Sequence, residues 1–247
     1  MSDVIVDLAD VTVAYDRHPA IHHLHCGFRR ASLTAVVGPN GAGKSTLIKA
    51  IAGLVRLAGG RLQLHGVSRR DIAYLPQLAA IDETFPISVF DAVALGHWRR
   101  VGAFAPIDAK MRAVVARALE AVGLDGFAGR AFGSLSAGQR QRALFARVMV
   151  ADAALILLDE PFSAVDARTT ADLLRLVAAW HAEGRTVIAV LHDFDQVRRH
   201  FPQSLLLARE QVAWGATGDV LTTENLLKAR AMSEAWDMGA DVCRGAA

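Results

Sequence analysis

The chain is 247 residues long with a formal net charge of +2. That allows one large domain, or a domain with a subdomain, and gives no general electrostatic case for a nucleic-acid partner. Although 53% of the residues are hydrophobic, no run approaches the roughly 18 apolar residues that a membrane-spanning helix requires. The opening Met1-Ser2-Asp3-Val4-Ile5-Val6-Asp7 carries acids where a signal peptide carries positive charge, so a soluble, cytosolic chain is expected. Cys26 and Cys243 have neither metal-ligand spacing nor a disulfide-framework count, and read as free thiols in a reducing compartment. The basic clusters Arg30, Arg69-Arg70, Arg99-Arg100 and Arg198-Arg199 read as solvated surface.

In chain order, Val4, Val6 and Leu8, then Val11 and Val13, then Leu24, Cys26 and Phe28 alternate as antiparallel strands do. His18, His22, His23 and His25 sit among them. Alternation leaves His25 opposite Cys26, so a solvated histidine face is the plainer reading, with a regulatory zinc site as the alternative. Ser32 to Val37 reads as a buried strand. It runs into Gly38-Pro39-Asn40-Gly41-Ala42-Gly43-Lys44-Ser45-Thr46, which fits the phosphate-loop pattern G-x-x-x-x-G-K-[ST]. Glycines let successive N–H groups turn inward onto an anion, Lys44 brings a flexible point charge for β/γ-phosphates, and the Ser45 hydroxyl can ligate Mg²⁺. Ser45 to Leu54 reads as a helix whose N-terminus favours negative charge.

Arg61 to Gly66 looks like another strand ending in a turn. From about Pro76 to Val150 a mainly helical insert is expected: Ser88-Val89-Phe90-Asp91 resembles a capping box, and Asp108 to Val122 has helical apolar spacing. Ser136 is a natural N-cap, with Ala143 to Val150 continuing as helix. Strand–helix alternation returns with Ala154 to Leu158, Ala167 to Ala182 and Thr186 to Leu191. These continuous apolar strands suggest a parallel sheet covered on both faces. Leu226 to Ala247 reads as a short helical tail with Trp236. The expected architecture is α/β, with a core of residues 1–76 and 151–225, an N-terminal antiparallel β subdomain, a helical subdomain at about 77–150 and a tail at 226–247.

Two further motifs carry chemistry. Leu155-Ile156-Leu157-Leu158 ends in Asp159 and Glu160; the first carboxylate can hold Mg²⁺ through its water shell and the second can orient and deprotonate a water. Leu135-Ser136-Ala137-Gly138-Gln139 opens a helix as a second anion cradle, with no obvious use inside a polypeptide that already has a phosphate loop.

The phosphate loop, Gln77, Leu135 to Gln139, Leu158-Asp159-Glu160, Ser163-Ala164-Val165-Asp166 and His192 occur in the order found in ATP-binding cassette ATPases. The chain resembles that family over nearly its whole length, departing only in Ala137 where a second signature glycine is usual. The resemblance implies a P-loop NTPase that binds ATP with Mg²⁺. Tyr15 would stack on adenine and Gln77 would reach Mg²⁺ and the attacking water. Glu160 would be the general base, His192 would bond the γ-phosphate, and Asp166 would link two nucleotide sites. Two copies would pack head to tail, so that Ser136, Gly138 and Gln139 of one close over the ATP held by the other.

With one cassette and no membrane span, a transport role implies a separate membrane permease and an extracytoplasmic substrate-binding protein, with this subunit on the inner face of the membrane. Phe85 to Gly96 resembles the corresponding stretch of zinc and manganese uptake ATPases. An importer of iron chelates or a cobalamin-like cofactor is the alternative. A mechanical cassette ATPase acting on DNA or ribosomes fits less well, lacking a coiled-coil insertion or second cassette. A small-molecule kinase would leave Ser136 and Gly138 without a use.

Overall fold

The alternating apolar residues at the start of the chain form a long hairpin, β1 (Val4–Tyr15) and β2 (His18–Arg29), with Val6 opposite Phe28 and Leu8 opposite Cys26. A computed structural model describes residues 3–239 except 17, 81, 83, 99–101, 103–105 and 164. Cys243, Arg99-Arg100, Ala164, the side chain of Trp236 and the end of the expected tail lie outside the described residues.

The chain next forms β3 (Leu33–Val37), helix α1 (Lys44–Ala52) and β4 (Gly59–Leu64). The hairpin takes β4 onto its free edge, giving a three-stranded antiparallel sheet ordered β2-β1-β4. After β5 (Ile72–Leu75) come α2 (Val89–Ala94), α3 (Ala109–Ala121) and α4 (Ala137–Ala151). Then follow β6 (Leu155–Asp159), α5 (Ala167–Ala182), β7 (Thr186–Val190) and α6 (Phe194–His200). The chain closes with β8 (Gln203–Ala208), β9 (Glu210–Ala216), α7 (Thr217–Val220) and α8 (Thr223–Gly239).

The second sheet has six strands in the order β5-β6-β7-β3-β8-β9, parallel except for the β9 edge. Every residue of β3, β6 and β7 is buried, as their mostly apolar sequences require, with Thr34, Asp159 and Thr186 the polar exceptions. Alternation along each strand divides the core. Leu155, Leu157 and Ile188 face Leu47, Ile48 and Ile51 of α1 and the apolar side of the hairpin. Ile156, Leu158 and Ala189 face α4 and α5. Strand ends thereby project their last side chains beyond the sheet, on the edge where the phosphate loop lies.

Several helices begin where a short polar side chain caps them: Asp108 accepts from Met111 N, Ser136 from Gln139 N and Asp166 from Thr169 N. Ser88 caps α2 by accepting from Asp91 N, but the Asp91 carboxylate accepts from the Ser88 hydroxyl, so the contact differs from the reciprocal backbone box expected there. β5, β8 and β9 are strands that the sequence pattern did not single out. Among the described residues no helix is long and apolar enough to cross a membrane.

Phe145 of α4 fastens two layers. It is fully buried, stacks on Trp180 of α5 with ring centroids 5.6 Å apart, and meets Phe162 at 6.4 Å. Phe145→Ala should cost about 3–5 kcal/mol, combining lost transfer energy and a residual cavity. Chemical denaturation measures it; a loss below about 1 kcal/mol would contradict this packing account.

Candidate functional site

The loop at residues 38–43 turns the chain from β3 into α1. Its turn depends on backbone that approaches too closely for a side chain. Gly43 has φ +88°, and a Cβ there would lie 2.1 Å from the Ala20 carbonyl oxygen. Ala42 is buried and its carbonyl accepts from Arg209 N at 3.0 Å, while Asn40 and Gly41 are exposed at the tip. The Lys44 ammonium folds under the loop and donates to the carbonyls of Gly38 (2.9 Å) and Pro39 (2.7 Å). Burial lowers its pKa, while Glu160 and Asp159 pull it back up. Thr46 is half-buried in the first turn of α1, whose leading N–H groups lack intrahelical partners and suit an anion.

β6 delivers the two carboxylates into different surroundings. Asp159 is 1% exposed. Its Oδ1 accepts from Ser45 Oγ at 2.7 Å and its Oδ2 from the Tyr74 hydroxyl at 3.4 Å. Burial raises its pKa, with the Ser45 hydrogen bond and Lys49 acting against that. Ser45 and Asp159 are hard oxygen donors side by side. That donor set fits Mg²⁺, which takes one or two protein oxygens plus phosphate oxygens and waters rather than a full protein cage.

Glu160 follows in the left-handed region at φ +50°, a conformation that costs a non-glycine residue about 1 kcal/mol. Its carboxylate is gripped from three places. His192 Nε2 lies 2.6 Å from Oε1, and Oε2 accepts from Gln77 Nε2 at 2.8 Å and from Ser163 Oγ at 3.2 Å. Burial alone would raise its pKa, but the His192 hydrogen bond and charge, Ser163 and Lys44 outweigh burial and hold it below the usual glutamate value. Glu160 is therefore ionised and can only accept, so the proton in the short contact resides on His192 Nε2. A cavity of about 490 Å³ beside the pair is lined by Glu160, Ser163, Thr170, Leu174, His192 and Gln196.

The residues expected at the site fall into two groups. Gln77, Glu160 and His192 form one cluster with the loop lysine close by, and Ser45 joins Asp159. Ser136, Gly138 and Gln139 form the capped start of α4, where Ser136 N donates to Gln139 Oε1 at 3.0 Å. The nearest atoms to a Cβ on Gly138 belong to Thr169 and Asp166 at the start of α5. Tyr15 ends β1 with 48% of its surface exposed, an open aromatic face.

Sequence reasoning missed the hydrogen bonds of Tyr74 and Ser163 and the tether from Gln141 Nε2 to the Pro161 carbonyl at 2.6 Å. Tyr74 stands three residues before Gln77, but nothing in the string marks its reach across 85 positions. The histidines of β2 pair with acids: His22 Nδ1 with Glu210 at 2.9 Å, and His23 Nδ1 with Asp10 at 2.6 Å. Among the described residues no group of three or more His, Cys, Asp or Glu is arranged to hold a metal ion.

The profile of the family described as ABC transporter matches residues 21–163, from the hairpin through the carboxylates. The chain belongs to the ABC transporter family. It is 39% identical over 228 residues to the manganese transport system ATP-binding protein of Bacillus subtilis (strain 168), spanning 90% of this chain and 91% of that one. The zinc transport system ATP-binding protein of Treponema pallidum (strain Nichols) is 38% identical over 228 residues, with 91% and 86% covered. Among solved structures, a chain described as a metal-chelate type ABC transporter in an inward-facing conformation superposes with a TM-score of 0.81 at 30% identity, covering 92% and 89%. Membership makes this chain the ATP-binding subunit of a transport ATPase.

The loop geometry yields a paired test. Gly43→Ala places a methyl against the Ala20 carbonyl, whereas at Gly41, φ +75°, nothing lies within 4 Å of the added carbon. Gly41→Ala should cost only the left-handed strain, about 1–2 kcal/mol. Gly43→Ala should weaken nucleotide binding by more than about tenfold. Nucleotide titration of both variants checks this; equal affinities would show that the close approach does not shape the site.

Proposed function

We propose that this chain hydrolyses ATP to drive import of zinc or manganese through a separate membrane permease, working as two copies. The observation that carries the reading is the grip on Glu160: an ionised carboxylate held by Gln77, Ser163 and His192 beside a phosphate loop. Residues 38–46 would cradle the phosphates, with Lys44 turning from its loop carbonyls to β/γ-oxygens, and Tyr15 would stack on adenine. Mg²⁺ held by Ser45 and Asp159, with Gln77 in reach, would neutralise phosphate charge. Glu160 accepts a proton from water as the water oxygen bonds to the γ-phosphorus; the bond to the bridging oxygen breaks, leaving ADP and phosphate. His192 holds Glu160 through its Nε2–H and would turn that N–H to a γ-phosphate oxygen when ATP is bound.

The atoms nearest to a Cβ on Gly138, beside Ser136 and Gln139, belong to Thr169 and Asp166 at the start of α5 and not to the phosphate loop of its own chain. That supports the use of Ser136, Gly138 and Gln139 on ATP held by a second copy, with Asp166 at the junction. In this reading residues 1–76 and 151–225 form the nucleotide core, 77–150 the permease-facing part and 226–247 a tail. Exposed Leu54, Phe85, Leu95 and Trp98, with a cavity of about 200 Å³ that Leu54, Leu95 and Tyr74 help to line, offer the apolar surface for a permease segment. The subunit would lie on the inner face of the membrane, and an extracytoplasmic binding protein would deliver the cargo. The names of relatives at 39% and 38% identity support a metal ion over an iron chelate or cobalamin-like cofactor, and over a non-transport ATPase.

Two outcomes are expected. Glu160→Gln should lower ATP turnover by about 10²–10⁴ while accumulating as an ATP-bound dimer in sedimentation; Lys44→Ala should lose productive ATP binding. Normal turnover by Glu160→Gln would remove the general-base assignment. Cells lacking this chain should lose uptake of zinc or manganese and regain it with the wild type but not with Glu160→Gln. Unchanged uptake of both ions would refute the cargo.

A further inference from the structure

A cradle offered to a second copy is useful only if it stands at a fixed place relative to the other groups that meet that copy. One turn beyond Gly138, on the same face of α4, Arg142 reaches three acceptors on two other helices. Its Nη1 donates to the Val122 carbonyl at the end of α3 (3.2 Å), and its Nη2 donates to Asp172 Oδ2 (2.6 Å) and Thr169 Oγ1 (3.3 Å) on α5. Thr169 is in turn held by Asp166, whose Oδ1 accepts from the Thr169 N–H and whose Oδ2 accepts from its hydroxyl, both at 2.8 Å. A Cβ on Gly138 would stand 3.6 Å from Thr169 Oγ1 and 3.8 Å from Asp166 Oδ2. Gly138 and the Asp166 carboxylate therefore both lie beside the threonine that Arg142 holds. The neighbouring Gln141 ties the same helix to Pro161, next to Glu160.

The pair is built for position. Arg142 and Asp172 are 20% and 28% exposed, and Arg142 is the main reason the Asp172 carboxyl sits below the usual aspartate value. Asp172 also accepts from Arg175, an exposed side chain on its own helix. An isolated surface pair contributes little, but a guanidinium fork shared among a carbonyl, a hydroxyl and a carboxylate fixes geometry that a lysine ammonium cannot. Adhesion between α4 and α5 is already supplied by Phe145 and Trp180, so Arg142 is not needed simply to hold the helices together.

We propose that Arg142 is a positioning residue, locking Ser136 and Gly138 to Asp166 so that each copy presents them to its partner as one rigid unit. This rests on the two-copy reading above. Because Arg142 acts on the surface presented and not on the chain's own phosphate loop, its loss separates two quantities that general destabilisation would lower together.

The experiment uses the full chain with Glu160→Gln, measuring ATP affinity at dilutions below dimer formation and the dimer dissociation constant in ATP by sedimentation. Adding Arg142→Ala should leave monomer ATP affinity within about twofold and raise the dimer dissociation constant about tenfold or more, with Arg142→Lys in between. Asp172→Ala, which removes the carboxylate from the same fork, should also raise the dimer dissociation constant, by a smaller factor than Arg142→Ala. An unchanged dimer constant for Arg142→Ala would overturn the proposal. So would a parallel loss of monomer ATP affinity, or an Asp172→Ala dimer constant equal to the parent's. If the Glu160→Gln parent itself stays monomeric in ATP, the two-copy reading falls and this inference with it, a result distinct from the other three.

Discussion

Joining Ser45 to Asp159 across 2.7 Å is the contact on which the site's layout depends. A carboxylate that is 1% exposed loses several kilocalories per mole of hydration unless donors replace the water. Here a donor comes from the first turn of α1. The contact pins the end of β6 beneath the phosphate loop, and the next residue, Glu160, must then emerge at a set place. The left-handed backbone at Glu160 turns its side chain into the reach of Gln77, Ser163 and His192, which arrive from three separate segments. One buried charge thus determines where an ionised carboxylate stands relative to an anion-binding loop.

The same carboxylate strand organises the far side of the molecule. β6 continues through Pro161 and Phe162 to α5, and both residues touch α4: Pro161 through Gln141, Phe162 through Phe145. The start of α4 at Ser136 and the Glu160 cluster are therefore connected through a few residues of chain while offering their side chains in different places. Such an arrangement gives a physical basis for two identical subunits in which each supplies half of every site. Binding of ATP would then stabilise the closed pair, because the nucleotide adds contacts that only that state makes.

What could be read in the string follows from how local the determinants are. β3, β6 and β7 were legible because every residue is buried and nearly all are apolar, and α5 because its apolar residues recur at helical spacing along its length. The phosphate loop was legible because glycine at a close backbone approach and an adjacent lysine leave a fixed spacing. β5 escaped because it is only four residues long and is followed at once by Pro76; β9 escaped because it is a half-buried antiparallel edge. Around His23 a strand irregularity with φ +47° interrupts the alternation, so His23 and His25 both approach Asp10, a convergence that strict period-two counting does not give. Tyr74, Gln141 and Arg142 act across 85, 20 and 30 positions, and reach of that kind is set by packing, which a single sequence does not display.

Complementation between two disabled forms tests the shared-site account most directly. One form carries Lys44→Ala, spoiling its phosphate loop; the other carries Ser136→Ala with Gly138→Ala, spoiling its cradle. In a mixed pair, the intact loop of the second faces the intact cradle of the first, so mixing two forms of low activity should restore ATP turnover well above the sum of the parts. A mixture no more active than that sum, or full activity in the form lacking Ser136 and Gly138 alone, would contradict it.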